Sequence, residues 1–328
     1  MDKIKTVALI GLGAIGCSVA RELCQAVGEE HFRVIAGGVR RARLERDGVI
    51  INGQPCKFPI VAPEQTVEPA DLVVVTVKYG GLEQAIRDIA GQVGPNTTII
   101  SFLNGISSEQ MLAEAYGWER VLYGMVRRAV VMEGNRCTYD PSRGTYYFGE
   151  AKNPTRTPRV QRVCDLFERA GLNYQVPPDM VREQWVKFMG NVSENQSAAI
   201  LGIPYAAWYE DGNDANWIRE TACREVIAVA NRLGIDLGEQ DLIRQRTLAK
   251  CVPSWGKPST LQDIEAGRPT EVELFSGTLC RLGREVDVPT PVSDLFYHIS
   301  RVREQKPGGV SNKKGNRGEK AKKNPPGW

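Results

Sequence analysis

Gly11-Leu12-Gly13-Ala14-Ile15-Gly16 restricts what this chain can fold into more than any other segment. An apolar run from Thr6 to Ile10 feeds into it and an amphipathic stretch from Ala14 to Val27 leaves it, so the hexapeptide sits at a strand-to-helix junction. In that context Gly11 permits a tight turn, Gly13 lets the main chain approach a pyrophosphate, and Gly16 lets the helix pack closely on a sheet. The phosphates then meet the helix N-terminus, where unpaired N–H groups and the dipole favour anions. Gly11, Leu12, Gly13, Ala14, Ile15 and Gly16 are therefore candidate dinucleotide contacts. The alternative is a structural turn that binds nothing.

The segments that follow extend this unit. Phe32 to Ala36 reads as a strand and Arg40 to Arg46 as a short helix, while Val49 to Ile51 and Lys57 to Ile60 flank an Asn52-Gly53 turn as a small hairpin. Leu72 to Val77 is a nearly continuous β-branched run, as a strand covered on both faces should be. Leu82 to Ile89 is helical, Thr97 to Phe102 a strand and Ser107 to Ala115 helical. Later strands fall at Val121 to Met132, Arg136 to Tyr139 and Thr145 to Phe148. Alternating strands and helices predict an α/β, Rossmann-type doubly wound domain with a mostly parallel sheet.

After Pro177-Pro178 strands give way to long helical patterns: Asp179 to Leu201, Ala215 to Leu233, Glu239 to Lys250, Leu261 to Ala266, Val272 to Leu282 and Val292 to Glu304. The expected organisation is a cofactor domain over 1–176, an all-helical C-terminal domain over 177–305, and a disordered basic tail over 306–328. That tail holds seven Lys or Arg against Glu319, leaving the 305 residues before it at a net charge of −3. Its Gly, Asn, Lys and Pro cannot build a core. Nothing in the rest of the chain adds a basic surface motif with interleaved aromatics, so nucleic acid is not an expected partner.

Composition excludes other classes. With 42% apolar residues, 25% charged residues and 33 glycines in 328, the chain is neither collagenous, coiled-coil nor wholly disordered. No run of about 18 apolar residues is present to span a bilayer, and the opening MDKIKTVALIGLGAIG lacks a small-residue cleavage site, so a cytoplasmic location is expected. Eight cysteines are scattered without a C-x-x-C, and only His31 and His298 could assist them, so no metal site is expected and the thiols should be reduced.

Strand ends carry the next candidates, because open α/β sheets bind ligands at the carboxyl edge. The second strand ends in Ala36-Gly37-Gly38, without the acid that would hold a ribose 2′-hydroxyl, and runs into Arg40, Arg41 and Arg43. That suits a 2′-phosphate and hence NADP, with Arg40 as the first candidate; the alternative is a solvated basic face on a short helix. Lys78 and Asn104 follow two further strands; each could equally be a solvated or turn residue.

In the helix from Asp179, Lys187, Asn191 and Asn195 share one stripe at i, i+4 and i+8, beside the apolar face of Val181, Trp185, Phe188, Val192 and Ala199. An ammonium and two amides could donate to a carbonyl and hold substrate hydroxyls. The alternative is a surface pair of Lys187 with Glu183 and two exposed amides. Ser259 and Thr270 each begin a pattern that fits a capping box, so Ser259 reads either as an N-cap or as a hydroxyl for a substrate carboxylate, and Glu271 as a first-turn acid.

Together GLGAIG, VVVTVKYGGLEQAI, SFLNGISSE, QWVKFMGNVSENQSAAIL and PSTLQDIEAGRPTEVE resemble the ketopantoate reductase (2-dehydropantoate 2-reductase) family, from Thr6 to about Arg301. The most specific pattern is W-x-K-x-x-x-N-x-x-x-N followed by S-x-L-Q-D-x-x-x-G-x-x-T-E. The resemblance implies NADPH-dependent reduction of 2-dehydropantoate to pantoate, on the way to pantothenate and coenzyme A. It implies Lys187 as proton donor, Asn191 and Asn195 as substrate amides, Ser259 at the substrate carboxylate, Glu271 near nicotinamide and lysine, and Asn104 and Lys78 beside the cofactor. Two departures stand out: Gly37 occupies a position where many members have arginine, and Ile203 to Tyr205 offers no clear further amide. A reductase of another 2-keto acid and a non-catalytic NADP-binding regulator are the rival readings. The expected partner is a small 2-keto acid, with a homodimer left open and no membrane.

Overall fold

The computed structural model describes residues 3–305; the basic tail expected over 306–328 lies outside the described residues. The first part contains β1 (Val7–Ile10), α1 (Ala14–Val27), β2 (Phe32–Ile35), α2 (Gly38–Asp47), β3 (Val49–Ile51), β4 (Gln54–Cys56), β5 (Ile60–Val61), β6 (Leu72–Val75) and α3 (Leu82–Asp88). It continues through β7 (Thr98–Ser101), α4 (Ser108–Tyr116), β8 (Val121–Arg127), β9 (Val131–Glu133), β10 (Arg136–Thr138), β11 (Thr145–Gly149), α5 (Pro158–Arg169) and β12 (Tyr174–Gln175).

The main sheet runs β12-β11-β8-β7-β6-β1-β2-β5, parallel throughout except where β11 meets β8 antiparallel. Alternate residues of β1 explain why it is covered on both faces. Val7 and Leu9 enter one core with α1 and α5, whereas Ala8 and Ile10 enter another with α3 and α4. Connections leave β1 toward β2 on one side and reach β6 on the other, which makes the β1/β6 boundary the topological switch point. That is the crevice where such sheets take ligands.

The helical part comprises α6 (Met180–Gly190), α7 (Gln196–Leu201), α8 (Asp214–Arg232), α9 (Glu239–Lys250), α10 (Ser259–Glu265), α11 (Thr278–Glu285) and α12 (Pro291–Gln305). A π-helical turn, Asn191–Asn195, joins α6 to α7, and a second, Glu273–Gly277, leads into α11. Asp179 starts α6 by accepting from Arg182 N at 2.9 Å. The two parts are tied where Gln184 Nε2 donates to Gly124 O at 2.9 Å and to Glu109 Oε1 at 2.7 Å. The fold is thus α/β, a Rossmann-type sheet followed by helices. No helix among the described residues is long and apolar enough to cross a membrane.

Several local expectations need correction. The Asn52-Gly53 turn, with φ of +48° and +81°, pairs Ile51 directly with Gln54, so the hairpin's second strand is β4 and not Lys57 to Ile60. Ile60 and Val61 instead join β2 at the sheet edge. Val121 to Met132 is not one strand: β8 belongs to the main sheet, and β9 to a separate sheet ordered β4-β3-β10-β9. Helix α5 and strand β12 have no counterpart in the sequence reading, although Thr157 caps α5 ahead of Pro158, and Val160, Val163, Cys164 and Phe167 form its buried stripe.

Candidate active site

The glycine loop shows how its residues divide the labour. Gly11 has φ of +99°, and a Cβ there would lie 2.6 Å from the Thr76 carbonyl carbon; one on Gly16 would lie 2.3 Å from Gly11 O. Both positions are closed by backbone, which holds β1, β6 and α1 in contact. Gly13 is the opposite case, since the nearest atom to an added Cβ is Gly11 O at 4.0 Å. Gly13 caps α1 without a side-chain bond, and the first turn of α1 contains no acid. The open position, the free helix N-terminus and the switch-point location fit a dinucleotide pyrophosphate.

Beyond β2, Arg40 donates to the Leu12 carbonyl of this loop, while Arg41 turns to Glu45 at 2.7 Å. Of the arginines after β2, Arg40 is thus the one bonded to the loop, and no acid follows the strand.

The second cluster spans both parts of the molecule. Lys187 Nζ donates to Asn104 Oδ1 at 2.9 Å, and Asn104 Nδ2 donates to Glu271 Oε2 at 3.3 Å. An ammonium can only donate and a carboxylate can only accept, so the Asn104 amide has a single orientation that satisfies both neighbours. Burial pulls the Lys187 pKa down to about 7, and the Arg127 guanidinium pushes in the same direction against the opposing charges of Glu271 and Glu109. Burial also raises the Glu271 carboxyl, opposed by the Asn104 bond and by Lys78. The surface pair of Lys187 with Glu183 does not form: Glu183 faces Arg244 at 3.5 Å.

The π-helical turn sets the amides. Asn195 is buried and its Nδ2 donates to Asn191 Oδ1 at 3.3 Å, so the two are not exposed surface residues. Widening the helix by one residue per bond brings side chains four apart closer to vertical register than an α-helix does. The Asn191 Nδ2 has no hydrogen-bond partner.

Lys78 reaches across to Asp263 on α10, 3.1 Å away, and Arg268 holds the other carboxylate oxygen at 2.7 Å. Ser259 occupies the first position of α10, exposed, and Pro258 is the N-cap, so the capping role expected for Ser259 is wrong. The proline already sets the entry to the helix and the hydroxyl makes no cap bond. At the other expected capping box, Thr270 accepts only a long bond of 3.4 Å from Val272 N and itself donates to Glu304 Oε1 at 2.5 Å, while Glu273 bonds Tyr297, so the reciprocal box is absent.

The structure therefore brings Lys187, Asn104 and Glu271 together, sets Asn191 and Asn195 one and two turns beyond Lys187, and places the glycine loop and Lys78 on the neighbouring strand ends. Ser259 is tied to the group only through α10. Sequence reasoning passed over Asp263, which sits inside the S-x-L-Q-D pattern, and Glu109 and Gln184, whose partners are distant in sequence. It also passed over Arg127, although that residue ends a strand just as Lys78 and Asn104 follow theirs.

Known proteins resemble this chain in sequence and in fold. Residues 7–153 match the family described as ketopantoate reductase PanE/ApbA, and residues 179–304 match its C-terminal model. The chain belongs to the ketopantoate reductase family. Relatives named 2-dehydropantoate 2-reductase include one from Mesorhizobium japonicum, 27% identical over 90% of this chain and 96% of its own length. Another, from Streptococcus pyogenes, is 22% identical over 91% and 97%. Among solved structures, a D-mandelate dehydrogenase in a ternary complex with NADH and anilino(oxo)acetate superposes with a TM-score of 0.81 at 22% identity, covering 91% of this chain and 98% of that one. The architecture of this ketopantoate reductase family member, a Rossmann-type part followed by helices, is thus that of its relatives.

Proposed function

We propose that the protein reduces 2-dehydropantoate to pantoate with NADPH, in the cytoplasm and in the supply of pantothenate and coenzyme A. The observation that carries this reading is the Lys187–Asn104–Glu271 chain, which joins the helical part to the end of β7, two strands from the glycine loop on the same sheet edge. We place the domain boundary at 176/177, so that the reacting groups meet between a cofactor domain and a substrate domain.

Gly11 to Gly16 would hold the pyrophosphate and Arg40 the 2′-phosphate, with Lys78, Asn104 and Glu271 beside the nicotinamide end. NADPH supplies a hydride for the C2 carbonyl carbon when bound. Lys187 gives the proton to the carbonyl oxygen as negative charge develops there, and a pKa of about 7 lets it both hold and release a proton near neutrality. Asn104 fixes Nζ in place, and Glu271 supplies the opposing charge through that amide. Asn191, with its free Nδ2, and Asn195 hold the substrate hydroxyls, while the Ser259 hydroxyl faces the carboxylate.

A second reading, reduction of a different 2-keto acid, is favoured by one feature: Ile203 to Tyr205 provides no further amide for pantoate-like hydroxyls. The structural relative seen with anilino(oxo)acetate supports that class of acid. Loss of NADPH absorbance against a panel of 2-keto acids separates the readings, and complementation of a pantothenate auxotroph tests the pathway. Absence of turnover with every acid would overturn the reductase reading and leave an NADP-binding regulator.

A further inference from the structure

We infer that Arg127 is the residue that receives the substrate's carboxylate, beside the proton donor. This rests on the reductase reading and deepens it. The carboxyl ends of β1, β6 and β7 deliver Gly11, Lys78 and Asn104; the next strand in that row is β8, and Arg127 is its last residue. Arg127 therefore stands on the same ligand-binding edge, one strand beyond the amide that holds Lys187.

Its guanidinium has an unspent donor. Nη2 is buried without a hydrogen-bond partner, and among the described residues Arg127 forms no ion pair. Burial lowers its pKa, which means that its charge is poorly solvated where it stands. Nearby acids are already engaged. Glu183 faces Arg244, Glu194 accepts from Gln245 Nε2 at 3.2 Å and faces Arg219 at 3.5 Å, Glu271 accepts from Asn104, and Glu109 accepts from Ser108, Gly124 and Gln184. Lys187 and Arg127 thus feel each other's charge while each of these acids already has another partner. A buried cation with an unused donor is costly unless an anion joins it.

The chemistry of a 2-keto acid supplies that anion at the right place. Its carboxylate carbon is bonded directly to the carbonyl carbon, so whatever holds the carboxylate must stand next to the group that protonates the carbonyl oxygen. A guanidinium offers two parallel donors to a carboxylate, which fixes orientation as well as position. Arg127 also bears on proton transfer, because its charge lowers the Lys187 pKa against the raising influence of Glu271 and Glu109.

The test uses the full chain with Arg127→Gln and Arg127→Lys, with oxamate as a non-reacting 2-keto acid analogue titrated calorimetrically in the presence of NADPH. The Gln variant should lose at least about tenfold in oxamate affinity, the factor equivalent to about 1.4 kcal/mol, and raise KM for the keto acid. NADPH affinity should stay within about twofold, the alkaline fall of kcat should move to higher pH, and the Lys variant should regain part of the oxamate affinity. Unchanged oxamate affinity in a folded Gln variant with normal wild-type turnover would overturn the role of Arg127 and leave the reductase reading intact. Arg127-dependent oxamate binding by a wild-type protein that reduces no keto acid would do the reverse.

Discussion

Lys187, in the last turn of α6, donates from Nζ to Asn104 Oδ1 at 2.9 Å across 83 positions of sequence. The bond fixes a titrating group of the helical part against a strand end of the sheet. Under the proposed function, cofactor affinity and proton donation reside on separable elements that meet at one amide.

Replacing Lys187 tests that separation. Lys187→Ala should lower kcat by about 10²- to 10⁴-fold, the usual worth of a positioned general acid, while NADPH affinity measured by fluorescence titration changes little. Turnover near normal in a folded variant would sink the proton-donor role.

The pH dependence has a defined sign. Keto-acid reduction needs the protonated amine, so kcat should be highest below pH 7 and fall as pH rises through about 7, the value to which burial lowers Lys187. The reverse oxidation should rise over the same range. A kcat profile for reduction that stays flat from pH 6 to 9 contradicts the assignment.

Stability should move the other way. The unfolded lysine titrates at about 10.4 and the folded one at about 7, so well below pH 7 both states hold the proton and the cost of the buried charge is fully present. Between about pH 7 and 10 the unfolded state binds more protons, and the stability of the wild type gains with pH. Lys187→Met should therefore melt higher than wild type at pH 6 to 7, with the difference shrinking toward pH 10. Calorimetric melting of both proteins at pH 6.5 and 9.5 decides it.

The glycine loop offers a paired experiment. Gly13→Ala meets no atom nearer than 4.0 Å, so the protein should keep its melting temperature yet lose at least about tenfold in NADPH affinity, where the methyl replaces the phosphate's approach. Gly16→Ala would set a Cβ 2.3 Å from Gly11 O, and should lower both stability and binding. Equal NADPH affinity in Gly13→Ala and wild type would remove the pyrophosphate from this loop.

Under the proposed function, cofactor choice rests on Arg40. A preference for NADPH over NADH of at least about tenfold in kcat/KM, about 1.4 kcal/mol, should shrink markedly in Arg40→Ala, with NADH kinetics less affected. Equal kcat/KM for the two cofactors in the wild type would overturn the assignment.

The glycine loop, the alternation of strands and helices and the stripe of Lys187, Asn191 and Asn195 were legible in sequence because each depends on residues close along the chain. The spacing of glycines encodes a local turn, a period of two or 3.6 encodes a face, and burial of one face encodes a layer. The same locality misled where signals overlapped: the polar Gln54 to Cys56 belongs to the hairpin because a two-residue turn dictates its register, whatever the apolar content of Lys57 to Ile60. Only the tertiary structure decided the states of the site. It chose Asn104 and not Glu183 as the partner of Lys187, joined Lys78 to Asp263, left Asn191 Nδ2 and Arg127 Nη2 unspent, and brought Lys187 to a pKa near neutrality. Those outcomes depend on desolvation and on charges far apart in sequence, which fall off with distance in space and leave no periodic mark along the chain.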